Sequence, residues 1–252
     1  MTNQIKLMDN NTNIYKIILM LAWPAVVEQL LQTIVNYVDT AMVGAIGVNA
    51  TAAIGVTSST IWMLNGFMQA VGVGYSVQVA RHIGAGETEE AKSVIRQAVL
   101  AVLVLGAGLS AILMFFIAPN LPILMKVEPE VAPMAESYLR IIGMSYVCNM
   151  ALIVCSNIMR CAGDTKTPMK YNILTNLINV VGNFFLIYPS REIVLLGREM
   201  VLPRAGLGVA GAAISTAIAI SFSGICMLRI LFCRQSAVQI SLTDNFKPQG
   251  HI

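Results

Sequence analysis

Residues 14–43 read IYKIILMLAWPAVVEQLLQTIVNYVDTAMV, an apolar run long enough to cross a bilayer that nevertheless carries two carboxylates, Glu28 and Asp39. The two are 11 residues apart, and at ~100° per residue they return to within ~20° of the same helix face. Gln32 and Asn36 fall between them, so one face reads Glu28, Gln32, Asn36, Asp39 while Leu, Ile and Val fill the others. A carboxylate near the middle of a bilayer costs about 2.5–3.5 kcal/mol on insertion scales, so this face is expected to look into a bundle interior or a wet cavity. Burial and a nearby cation act in opposite senses on the charge of such a group, which is the opposition an ion-coupled carrier uses.

The composition agrees with a membrane setting. Apolar residues make up 56% of the chain and charged residues 12%, against about 25% charged in soluble domains. A net charge of +3 over 252 residues gives no nucleic-acid footprint. The five cysteines form no C-x-x-C pair and there are two histidines, so zinc and haem are not expected and the thiols read as small packed residues. Residues 1–13 are polar and lack a small-residue cleavage site, so no removable signal peptide is expected.

Six stretches are apolar enough to span: 15–40, 51–80, 94–118, 133–159, 168–189 and 207–232. The expected fold is an all-α integral membrane protein whose six transmembrane helices occupy 14–232, after an amino-terminal segment 1–13 and before a polar tail 233–252. Residues 190–206 read as the longest internal loop. Lys and Arg on alternate connections divide eleven to five, which places both termini in the cytoplasm.

The fifth span carries Asn172, Asn176, Asn179 and Asn183 at i, i+4, i+7 and i+11, four amides on one narrow face. The second has a looser row, Ser58, Trp62, Asn65, Gln69 and Ser76, and the sixth offers Ser215 and Thr216. Taken singly, such groups serve as inter-helix hydrogen bonds worth about 0.6 kcal/mol each. Two carboxylates on one helix opposite four amides on another favour a polar cavity instead. Asp39 is the strongest single candidate, because packing rarely requires an ionisable group at that cost. Glu28 either lines the same cavity or has a polar partner elsewhere.

GLGVAG at 206–211 matches a dinucleotide pattern, but it opens a membrane helix rather than joining a strand to a helix, so Gly208, Gly211 and Ala212 read as a close-packing surface. No nucleophile elbow, zinc-protease or Walker A pattern is present, so no enzymatic chemistry is expected and no cofactor beyond a coupling ion.

Four stretches, VDTAMVGAIG (38–47), ARHIGAGETEEAK (80–92), MRCAGDTKTPM (159–169) and GVAGAAISTAIA (208–219), resemble in order the connections and helix ends of multidrug and toxic compound extrusion (MATE) transporters. The resemblance implies one lobe of a two-lobe, 12-helix secondary transporter in the cell membrane. Such a carrier exchanges H+ or Na+ for small amphipathic organic cations. On this reading the carboxy-terminal lobe is a missing partner, the tail resembles the linker towards it, and membrane lipids are the other partner. By the same resemblance Asp39 matches the aspartate proposed to bind the coupling proton or sodium, and Asn179 and Thr216 match residues assigned to the cation site in some members. Asn183 stands where some members have an aspartate, which weakens the case for a tight sodium site. Pro24 matches a proline proposed to let the first helix bend. Glu28, Gln32, Asn36, Asn65, Gln69, Asn172 and Asn176 are the expected substrate-cavity residues. Two alternatives remain open: a flippase-type carrier of a lipid-linked or anionic cargo, and a six-helix scaffold without transport.

Overall fold

The computed structural model describes residues 14–195 and 198–233; residues 1–13 and nearly all of the tail lie outside this range. Six helical rods follow the six apolar stretches. They are α1 (Ile14–Gly44), α2 (Val48–Ala85), a third rod made of α3 (Thr88–Ala111), a π-helical turn (Ile112–Ile117) and α4 (Ala118–Leu124), a bent fourth rod of α5 (Ala132–Met144) and α6 (Tyr146–Cys161), then α7 (Lys166–Leu186) and α8 (Gly208–Cys233).

Local chemistry explains the joints. Gly86 ends α2 at φ 80°, a left-handed geometry that costs glycine nothing. There the Glu87 N–H donates to the His82 carbonyl at 2.9 Å. Prolines 119 and 122 lack the N–H groups that would bond four residues back, which accompanies the wider π turn just before them. Asn120 compensates, its side-chain amide donating to the Phe116 carbonyl at 2.7 Å. The fourth rod bends by 54° between α5 and α6. At the bend the Ser145 hydroxyl donates back to the Ile142 carbonyl at 2.8 Å, competing with the helix ladder. Asp164 starts α7 by accepting from the Thr167 N–H at 3.1 Å and hydroxyl at 2.7 Å.

Two of these helices, Thr88–Leu124 and Gly208–Phe232, are long and apolar enough by themselves to cross a membrane, and the bent pair counts as a third if read as one span. Helices α2 and α7 have the length, at 38 and 21 residues, but their polar rows lower their apolarity, and α1, at 31 residues, holds the apolar run read from the sequence. Where the sequence reads as a loop over 190–206, β1 (Pro189–Leu195) and β2 (Arg198–Ala205) pair as an antiparallel ribbon, with Ile193 opposite Met200 and Leu195 opposite Arg198. The apolar, partly β-branched run EIVL (192–195) pairs with REMV (198–201), which suits a hairpin.

The core lies among α2, α3, α5, α6 and α8, where Met68, Ile95, Leu139, Met150, Ile158 and Met227 are fully buried. A smaller apolar cluster, Val43, Ala50, Ile187, Val209 and Ala212, closes the end where α1 finishes. Glycines let helices approach closely. A Cβ on Gly211 would strike the Leu186 carbonyl of α7, and one on Gly224 would strike the Cys148 carbonyl of α6. The close-packing reading of Gly211 and Ala212 is therefore what the fold uses. Gly208 instead adopts φ 55° at the start of α8.

Candidate functional site

Helix α1 stands at the rim of the bundle. Its apolar side chains Leu19, Trp23, Leu30, Ile34 and Tyr37 are exposed, while its carboxylates Glu28 and Asp39 turn towards α7. The two carboxylates meet α7 at two rungs. Asn172 donates to Glu28 at 2.5 Å, and Asn183 donates to Asp39 at 2.7 Å. Both pairs are 144 residues apart in sequence, so the two helices run parallel and in one register. Three helical turns separate the rungs on each helix, about 16 Å.

The Asp39 rung is the richer one. Asn183 and Asn179 are buried, at 1% and 5% exposure. With its amide nitrogen towards α1, Asn179 donates to both Asp39 oxygens at 2.9 and 3.0 Å and accepts from the Thr216 hydroxyl of α8 at 2.8 Å. With the amide turned over, the nitrogen donates to Thr216 Oγ1 at 2.8 Å, that hydroxyl donates to the Ala212 carbonyl at 3.0 Å, and the amide oxygen faces Asp39. The first orientation satisfies an ionised Asp39; the second satisfies one that carries a proton to donate. Ser215 fixes the backbone beneath, its hydroxyl donating to the Asn179 carbonyl at 2.7 Å. Asn183 Oδ1 is buried with no donor among the described residues, an oxygen left over for a cation or a water. Tyr138 of α5 is within electrostatic reach of Asp39.

The Glu28 rung has a different character. Arg160, at the end of α6, donates to Glu28 at 2.5 Å and through its other terminal nitrogen to Asn157 Oδ1 at 3.2 Å. Glu28 thus has its own cationic partner, and its bonds go to α6 and α7 rather than to the Asp39 cluster.

The remaining cavity candidates are spread along the two polar rows. Gln32 donates to Asn36 at 3.2 Å along the exposed face of α1. Asn176 is half-buried on α7, between the two rungs in sequence, and Gln69 is exposed on α2. Asn65 accepts from Asn149 of α6 at 3.0 Å. Pro24 lies within α1, but its side chain is outside the described residues. Sequence reasoning did not single out Arg160, Asn157, Asn149 or Tyr138. Arg160 sits one residue past the span 133–159 read from sequence and counts there as a loop cation. Its one legible signal was that Glu28 required a partner.

The architecture is a helical membrane lobe with one carboxylate gathered into an amide and hydroxyl cluster. The sequence profile of the MatE family matches residues 24–185, and the chain belongs to that family. Over 208 residues, 81% of the chain, it is 29% identical to a probable multidrug resistance protein NorM of Thermotoga maritima, of which it covers 41%. Among solved structures it matches an outward-facing multidrug resistance MATE family transporter of the MOP superfamily at 26% identity and TM-score 0.78, covering 92% of this chain and 48% of that one. An inward-facing MATE family transporter matches with TM-score 0.70 at 24% identity, over 82% of this chain and 44% of that one. The chain thus spans less than half the length of these relatives.

Proposed function

We propose that this chain forms the amino-terminal lobe of a cation-coupled antiporter that exports amphipathic organic cations, with H+ or Na+ as the coupling ion. The convergence of Asn183 and Asn179 on Asp39, with Thr216 bonded to Asn179 behind them, carries this reading. Asp39 then alternates between a free, ionised form held by two amide donors and a neutralised form to which the Asn179 amide and Thr216 hydroxyl readjust. A proton suits the overturned amide; a sodium ion would draw on the Asp39 carboxylate, Asn183 Oδ1 and Thr216 Oγ1, hard oxygens of the kind such a cation takes. The cargo binds in the chamber that a second six-helix lobe completes, where the uncompensated carboxylate of Asp39 is the counter-charge for an organic cation. Ion and cargo need only prefer different states of the lobe, and a 1.4 kcal/mol preference is about tenfold. Repacking of α1, with Pro24 as the point of flexure, exposes the chamber alternately to the two sides. In the lysine- and arginine-rich orientation both termini are cytoplasmic.

The test is Asp39→Asn in the full-length protein, reconstituted with independently imposed pH and sodium gradients. Export of a fluorescent organic cation should fall to background while the protein's amount and folding in the bilayer are unchanged. Ion-driven export persisting at the wild-type rate in that variant refutes the assignment.

A further inference from the structure

We propose that Glu28, Arg160, Asn157 and Asn172 form a latch holding the first half of α1 against α6 and α7, so that this end of the lobe opens only when the Glu28–Arg160 ion pair parts. The inference rests on the transport reading for its purpose, but its geometry stands apart from the Asp39 cluster. Glu28 accepts from Arg160 and Asn172, and Arg160 reaches on to Asn157, which joins three helices through one carboxylate. The pair is only partly open, with side-chain exposure of 16% for Glu28 and 30% for Arg160. It is therefore less screened than an exposed pair, and removing one partner leaves the other charge uncompensated.

Helix α2 closes the back of the latch. Asn157 Nδ2 is buried without a partner among the described residues, and a Cβ on Gly72 would stand 2.6 Å from it. Asn157 is thus wedged against α2 and presents its oxygen to Arg160. Among the described side chains of this half of α1, Leu19, Trp23 and Leu30 are exposed. The far end of α1 is held differently, with Val43 buried in an apolar cluster and the Tyr188 hydroxyl donating to the Met42 carbonyl at 3.1 Å. The described contacts thus include an apolar cluster at one end of the helix and a charge pair at the other, and the charged end is the one that water can release.

Hydrogen–deuterium exchange on the purified full-length protein tests this without relying on transport. Glu28→Gln and Arg160→Gln should each raise amide exchange in residues 16–32 about tenfold, with α2 to α6 unchanged. The double variant should exchange no faster than either single one, because no lone charge remains. Wild-type exchange in the single variants overturns the latch, as does a uniform rise across all helices or a double variant in which the two effects multiply. Asp39→Asn serves as the separate arm. It should leave exchange in residues 16–32 at the wild-type rate, so a failure of the transport reading there is not a failure of the latch.

Discussion

The contact between α7 and α8 offers a quantitative prediction. In Gly211→Ala the new Cβ would meet the Leu186 carbonyl oxygen, with its carbon at 2.7 Å and the Ile187 nitrogen at 3.1 Å. These are backbone atoms, so no side chain can rotate away. Restoring ordinary contact of 3.4 Å to the carbonyl oxygen, the nearest of these atoms, moves α8 off α7 by about 1.0 Å. If α8 moves as a rod, the 2.8 Å contact between Thr216 and Asn179 stretches to about 3.8 Å, beyond hydrogen bonding. Overpacking of this kind costs about 1–3 kcal/mol, a melting temperature lower by roughly 2–10 °C for a chain of this size. Gly74→Ala is the control, since a Cβ there meets nothing within 4 Å. Helix propensity alone should make that variant neutral or more stable by up to ~1 kcal/mol. Thermal unfolding of both variants in the same detergent decides the matter, with ion-driven export as the second measurement. Equal melting temperatures for Gly211→Ala and Gly74→Ala would show that α8 is not seated on the α7 backbone as described.

Ser223→Ala removes one partner of the buried 2.6 Å hydroxyl pair with Thr175, and Thr175 still bonds the Tyr171 carbonyl. The loss should stay near 1 kcal/mol in a melting experiment, without effect on ion dependence. Asn65→Ala strands the Asn149 amide on α6. It should lower stability by about 1–2 kcal/mol, and Asn65→Ala/Asn149→Leu should recover part of the loss, which a double-mutant cycle measures.

The helical rods were legible because membrane solubility writes them into composition, and the four-amide face of α7 was legible because its spacing is helical. That the amide row faces the carboxylates of α1 came from spacing, and the fold places Asn183 and Asn179 on Asp39 with Thr216 bonded to Asn179; the ion-binding roles came from resemblance. Arg160 was not legible as a partner of Glu28. A pair 132 residues apart leaves no periodic trace, and an arginine near a helix end looks the same whether it faces water or a carboxylate. The ribbon at 189–205 was missed because polar residues and a glycine on either side of short apolar runs read equally well as a loop.

The common offset of 144 between α1 and α7 works like a key with two teeth. Slide α1 back by one turn of α7 and Asp39 still finds an amide in Asn179, but Glu28 comes opposite Pro168, which has nothing to donate. Slide it the other way and Glu28 meets Asn176 while Asp39 faces Ile187. Translation in either direction strands one carboxylate, so a piston stroke along this seam is disfavoured at every step. Swinging or flexing about the Asp39 tooth keeps one pairing intact throughout, and that is the freedom the seam leaves to its outermost helix.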